Sequence, residues 1–177
     1  MSEKKRWICL YVENEIGVLA RISGLFSGKS YNLNSLTVGE TEDTTVSRMT
    51  ISFTSDDRTF EQVKKQLNRS VEVIKVVDYT DIPIHNKEIL FIKVKECNTD
   101  DKDEVFRIAN AFNFKITDYD RKNILVECLQ TENQNNDAIK LFKQSFPNRI
   151  EVVRGGSVAV EAISMSERTD GPAAFWP

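Results

Sequence analysis

Catalysis by a nucleophile or a metal needs donors held in a cluster, and this chain of 177 residues has few to cluster. Its single histidine, His85, falls in a segment read below as a connection, where a surface position suits it better than a proton shuttle or a metal ligand. Cys9, Cys97 and Cys128 are odd in number, widely spaced and mostly set in apolar runs. That is the pattern of reduced thiols, not of a disulfide framework. Neither Gly-x4-Gly-Lys-Ser/Thr nor Gly-x-Gly-x-x-Gly occurs, and the pair Gly155-Gly156 follows the last expected strand with no helical pattern after it, so it reads as a turn. The acidic pairs Asp56-Asp57 and Asp100-Asp101 stand just before helical periodicities, where caps and dipole-compensating charges belong.

Binding chemistry is better represented. Asn14-Glu15-Ile16-Gly17-Val18-Leu19 joins a strand pattern to a helix pattern. The first turn of a helix has N–H groups with no helical acceptor, so a carboxylate placed there gains hydrogen bonds and a favourable dipole term. Gly17 either lets a ligand approach the backbone or simply makes the turn. Asn32, beyond the far end of the same helix, is either a turn residue or an amide offered to an amino-acid head group. The second half of the chain opens its own first helix with Asp100, Asp101 and Asp103, which would repel an anionic ligand, so a site of this kind belongs to the first half alone.

These residues must be positioned by a pattern that occurs twice. Trp7 to Val12 is an apolar strand, and Val18, Leu19, Ile22, Leu25 and Phe26 follow at helical spacing. Leu33 to Gly39 reads as a strand, and Met49, Ile51 and Phe53 then alternate with Arg48, Thr50 and Ser52, the signature of a sheet with one buried and one polar face. A helix carrying Phe60, Val63 and Leu67 and a strand over Val71 to Tyr79 complete the first unit. Strands at Ile89 to Val94, Phe114 to Tyr119, Ile124 to Leu129 and Ile150 to Val153, with helices carrying Val105, Ile108, Ala109, Phe112 and then Ile139, Phe142, Phe146, repeat the order. Two tandem βαββαβ units of the ferredoxin-like, α+β type are therefore expected, over residues 1–80 and 87–163. Residues 81–86, with Pro83, form the linker, and residues 164–177 form a tail expected to be disordered. Units this small leave sheet faces and edges open, so association with another copy is expected on physical grounds.

The totals exclude several classes. Lys and Arg number 24 against 27 Asp and Glu, a net charge of −3, so no field for nucleic acid is visible. No stretch approaches the roughly 20 apolar residues of a membrane span, and the chain reads as cytoplasmic. An RNA-recognition domain shares the element order, but it needs stacking aromatics where this chain has Ser47-Arg48-Met49-Thr50-Ile51-Ser52-Phe53.

Leu10-Tyr11-Val12-Glu13-Asn14-Glu15-Ile16-Gly17-Val18-Leu19-Ala20-Arg21, then Gly24-Leu25-Phe26, Tyr31-Asn32-Leu33, Ser35-Leu36-Thr37-Val38 and Ser47-Arg48-Met49-Thr50-Ile51, resemble the acetolactate (acetohydroxyacid) synthase small-subunit family. The likeness covers residues 7 to 77; the second half matches in layout and weakly around Ile150 to Gly155. It implies an N-terminal ACT domain that senses an amino acid and a related ferredoxin-like domain behind it. By the same resemblance, the chain is a non-catalytic subunit that activates a catalytic large subunit containing thiamine diphosphate, Mg2+ and FAD, and confers feedback inhibition by valine or another branched-chain amino acid. A different amino-acid pathway would satisfy the domain layout equally; the Ser35 to Val38 and Ser47 to Thr50 motifs argue against it. The resemblance further implies a homodimer through the ACT domains, with the effector between them. Asn14, Ile16 and the amides of Gly17, Val18 and Leu19 would come from one copy, and Asn32 and Leu33 from the other. Family members often have glycine where this chain has Ser30, which bears on the helix exit, and Phe175 and Trp176 are either a solvent-exposed end or a docking peg.

Overall fold

The computed structural model describes residues 3–27 and 33–163. Asn32, Ser30, Phe175 and Trp176, with the whole expected tail, lie outside them. The first half runs β1 (Lys4–Glu13), α1 (Val18–Ser27), β2 (Leu33–Glu40), β3 (Val46–Ser55), α2 (Asp57–Leu67) and β4 (Val73–Asp78). The second half runs β5 (Ile84–Val94), α3 (Thr99–Phe112), β6 (Lys115–Tyr119), β7 (Ile124–Gln130), α4 (Glu132–Ser145) and β8 (Ile150–Glu161). Each half forms a four-stranded antiparallel sheet, ordered β2-β3-β1-β4 and β6-β7-β5-β8. The tandem βαββαβ, α+β arrangement is thus present.

The periodicities explain the layers. On β1 every second residue, Ile8, Leu10 and Val12, is fully buried beside Met49, Ile51 and Phe53 of β3. Val18, Ile22 and Phe26 of α1, and Phe60, Val63 and Leu67 of α2, close over them from one side. Burying each large side chain contributes about 1.5–3 kcal/mol before entropy is counted. The second core has the same plan, with Leu90, Ile92, Val94, Ile124, Val126 and Cys128 beneath Val105, Ile108, Phe142 and Phe146. The helix starts are capped by the residues whose types demand it. Asp56 accepts from the Thr59 amide at 2.7 Å, while Asn98 with Asp101 and Thr131 with Gln134 form reciprocal capping boxes.

Several details differ from the sequence expectation. The alternation on β3 predicts one buried and one polar face, and the polar face is covered as well, with Thr50 and Ser52 3 % and 0 % exposed. The second domain lies on that polar face. Strand β8 continues eight residues past Val153, through Gly155-Gly156, so the glycine pair is not a turn but lies within the strand, where the pairing of β5 with β8 shifts between Glu88 and Leu90. Its partner β5 begins at Ile84, which takes Ile84, His85 and Asn86 out of the expected linker and pairs them with Glu161, Val160 and Ala159. The extended β5–β8 strand pair crosses the first sheet. There Ala159 packs with Trp7, Cys9 and Tyr79, and Arg48 Nη2 donates to the Ala159 carbonyl at 2.6 Å. Lys5 and Glu132 form an ion pair between the halves.

All three cysteines are free and buried. Burial pushes the Cys128 thiol up to about 12, so it stays protonated and inert at neutral pH.

Near the crossing, Glu88 is only 4 % exposed. Arg154 grips its carboxylate with Nε and Nη2, both at 2.7 Å, and Asn135 Nδ2 donates to Glu88 Oε2 at 3.3 Å and to the Glu88 carbonyl at 3.0 Å. Burial alone would raise this carboxyl, but Arg154 and Asn135 outweigh it and hold it below the ordinary range. A carboxylate depressed in the folded state contributes stability that is present above its unfolded value, near 4.3, and lost as pH falls through the folded one. Glu88→Gln is therefore expected to cost about 2 kcal/mol at pH 7, discounted for the partial exposure of Arg154. Thermal melts of both proteins from pH 7 to pH 3 should show the gap closing below about pH 4; a gap independent of pH would show that the pair adds nothing through charge.

Candidate effector site

The turn between β1 and α1 is built by an asparagine that the chain itself consumes. Asn14 N–H donates to the Thr45 carbonyl at 2.7 Å, and Asn14 Nδ2 donates to the Thr44 carbonyl at 2.9 Å and to Glu40 Oε1 at 3.1 Å. Ser47 Oγ donates back to Asn14 Oδ1 at 2.9 Å. The amide therefore fastens the turn to the β2–β3 hairpin, and its hydrogen-bonding capacity toward a ligand is largely spent. The hairpin is itself tied by Asp43, which accepts from the Thr45 amide and hydroxyl; those bonds hold its carboxyl below the usual range. Glu40, Thr44 and Ser47 were not among the residues expected from the pattern, and only Ser47 lay in a stretch carrying the family resemblance.

Past Asn14 the chain turns outward. Ile16 is wholly exposed, and Gly17 has φ +89°, the left-handed region that residues with a Cβ resist. Nothing lies within 4 Å of where a Gly17 side chain would begin, so the requirement for glycine is conformational and not steric. Val18 donates to the Glu15 carbonyl at 3.3 Å and Arg21 to the Gly17 carbonyl at 3.0 Å, which starts the helix. The Leu19 and Ala20 amides fall in the first turn, where no helical acceptor exists. Val18 faces the core at 2 % exposure and gives its N–H to Glu15, whereas the Leu19 side chain is 47 % exposed. In the first turn of α1, Arg21 pairs with Glu72 at 3.0 Å.

Leu33 sits elsewhere. It is half-buried against the first core and pairs with Phe53, at the level of Arg6 on β1, while Glu13 marks the opposite end of that strand. Seven strand residues separate the two levels, roughly 23 Å. Within one chain, then, Asn14, Ile16, Gly17, Val18 and Leu19 come together and Leu33 does not join them. Among the described residues no group of three His, Cys, Asp or Glu side chains could hold a metal ion.

Comparison with known proteins fits this layout. Residues 8–75 match the model of the AHAS small subunit-like ACT domain, and residues 87–163 that of the small subunit of acetolactate synthase. The chain is 42 % identical over 158 residues to the acetolactate synthase small subunit of Aquifex aeolicus, covering 89 % of this chain and 81 % of the relative. The chain belongs to the acetolactate synthase small-subunit family. Another member of this family, from Bacillus subtilis, is 38 % identical across 88 % of this chain and 89 % of its own. The crystal structure of the acetolactate synthase small subunit from Thermotoga maritima superposes with a TM-score of 0.81 at 31 % identity, covering 90 % of this chain and 98 % of that one. An ACT domain followed by the family's C-terminal domain accounts for the two sheets.

The Gly17 geometry separates backbone strain from charge. Gly17→Ala is expected to cost about 1 kcal/mol from the left-handed backbone alone, and Gly17→Asp no more than that, since aspartate tolerates the region and suits a helix start. Melting temperatures should fall by about 2–4 °C in both; a drop beyond 10 °C would mean the side chain meets an obstacle.

Proposed function

We propose that the chain is the regulatory subunit of acetolactate synthase: it activates the thiamine-diphosphate-dependent large subunit and lowers that activity when valine or a related branched-chain amino acid binds between two first domains. In this reading thiamine diphosphate, Mg2+ and FAD belong to the catalytic partner, and this chain supplies no reacting group.

The observation that carries the reading is the separation of Leu33 from the β1–α1 turn. Strand β2 is an edge strand, with only β3 beside it among the described residues. If two β2 strands pair antiparallel, Leu33 of one copy comes level with the Glu40 end of the other, and Glu40 is bonded to Asn14. Two half-sites too far apart in one chain then face each other across the pair. The effector carboxylate would lie on the backbone amides that follow Gly17, with the exposed Ile16 and Leu19 next to an aliphatic side chain. Asn14 acts here as the residue that holds the turn, and Asn32 as the partner's contribution. The rival reading as an RNA-binding sheet loses its surface, because the sheet face opposite the helices is occupied by Ala159 and Ser157.

Sedimentation of the purified chain at micromolar concentration is expected to give a dimer or larger, and a monomer throughout would sink the paired-domain site. The isolated chain, given pyruvate, thiamine diphosphate and magnesium, should make no acetolactate but should raise the rate of the large subunit. Gly17→Asp places a negative charge beside the effector carboxylate, a repulsion approaching roughly 4 kcal/mol at 4 Å before salt and relaxation reduce it. Valine inhibition should weaken on the order of 10–1000-fold, far more than in Gly17→Ala, with activation retained in both. Equal valine sensitivity in the two variants would refute this placement of the carboxylate.

A further inference from the structure

Strand β2 is fastened at two points by residues outside its own ladder. One is Glu40, held by Asn14 of the β1–α1 turn. The other is a clamp from the second domain. The Ser157 N–H of β8 donates to Ser35 Oγ at 2.8 Å, and Thr37 Oγ1 donates to the Ser157 carbonyl at 3.0 Å. Both backbone groups of Ser157 are thus met by side chains two residues apart on β2. Ser157 is 2 % exposed, so the bonds are sheltered from water. The preceding residue makes the approach possible. A Cβ on Gly156 would lie 2.9 Å from Thr37 Cγ2 and 3.0 Å from Ser35 Oγ, and its φ is +77°. On the other side, a Cβ on Gly155 would stand 2.5 Å from Ile89 Cγ2. The glycine pair threads β8 between its own sheet and β2.

We infer that Gly156 and Ser157 are positioning residues for the effector edge: the second domain sets the path of β2 and is thereby part of the sensor while holding no effector itself. The inference rests on the effector reading above, since it matters only if two β2 edges frame the ligand. The clamp falls where the pairing of β2 with β3 slips, between Leu33 and Ser35, at the very residue it holds. A change in the β1–α1 turn is passed through Glu40 to β2 and from Ser35 and Thr37 to β8; coupling of this kind is reciprocal.

The test uses the full chain and valine as the probe, with binding read by calorimetry and folding by thermal melts. Ser35→Ala combined with Thr37→Val removes both bonds at nearly constant shape, and Gly156→Ala forces a Cβ into the contact. Each is expected to weaken valine binding 10-fold or more while unfolding stays cooperative. Adding Thr37→Ser to Gly156→Ala deletes the methyl that the new Cβ meets and keeps the hydroxyl, so it should recover affinity to within about 3-fold of Thr37→Ser alone, a non-additivity that a general loss of stability would not produce. Valine affinity unchanged within 2-fold in the double variant would overturn the clamp's role, and so would a Gly156→Ala defect that Thr37→Ser leaves untouched. If the wild-type chain binds no valine while remaining folded, the effector reading itself falls and this inference falls with it.

Discussion

One strand in this molecule has to satisfy two sheets. Strand β8 completes the second domain's ladder beside β5, then runs on over the face of the first sheet that its helices leave uncovered. That face is lined with groups poorly suited to a dry contact, including Arg48, Thr50 and Ser52. The crossing is therefore made through backbone carbonyls, hydroxyls and an arginine as well as through the apolar cluster of Trp7, Cys9, Tyr79 and Ala159. Arg48 is the centre of this arrangement, since it reaches Cys9 Sγ, the Tyr79 hydroxyl and the Ala159 carbonyl at once. Ser52 Oγ is buried there without a partner, but the bonds of Arg48, Thr37 and Ser35 to β8 are directional, which favours a single docking of the halves over a sliding one.

The two sheets end up in different circumstances although their sequences follow one plan. The first has both faces covered. The second keeps Ile89, Leu129 and Val153 on its open face, at 38 %, 55 % and 55 % exposure. The asymmetry follows from which unit owns the long β5–β8 strand pair. Edge strands differ as well: β6 is five residues long, with an irregular pairing between Ile116 and Asp118, while β2 runs eight residues and stays regular after Ser35. A short, broken edge discourages strand addition and a longer one permits it.

Much of this was legible in the sequence. Helical spacing of Val18, Ile22 and Phe26 and the alternation around Met49, Ile51 and Phe53 report burial by the unit's own helices, a local property that periodicity records faithfully. Contact between the two units is not local, and the errors fall there. Arg48, Thr50 and Ser52 read as a polar face, and their types do not say what lies over them. Gly155-Gly156 looks like a turn because a glycine pair at the end of an apolar run usually makes one, whereas here the missing side chains serve a close crossing. At the candidate site the turn residues around Gly17 were evident from the strand, glycine and helix succession. The fastening of Asn14 by Glu40, Thr44 and Ser47 was not, since its partners lie some 30 residues away and only the hairpin brings them near.

Under the proposed pairing, the distance between Leu33 and the β1–α1 turn has a genetic consequence. If two chains pair through β2, each binding place would draw its turn from one chain and its strand start from the other. A chain damaged at the turn and a second chain damaged at Leu33 would then assemble into a mixed pair with one place doubly broken and the other entirely intact. Two alleles, each insensitive by itself, would restore part of the response when expressed together. Sites confined to a single chain never show such complementation, because neither of two damaged chains can lend the other a whole site.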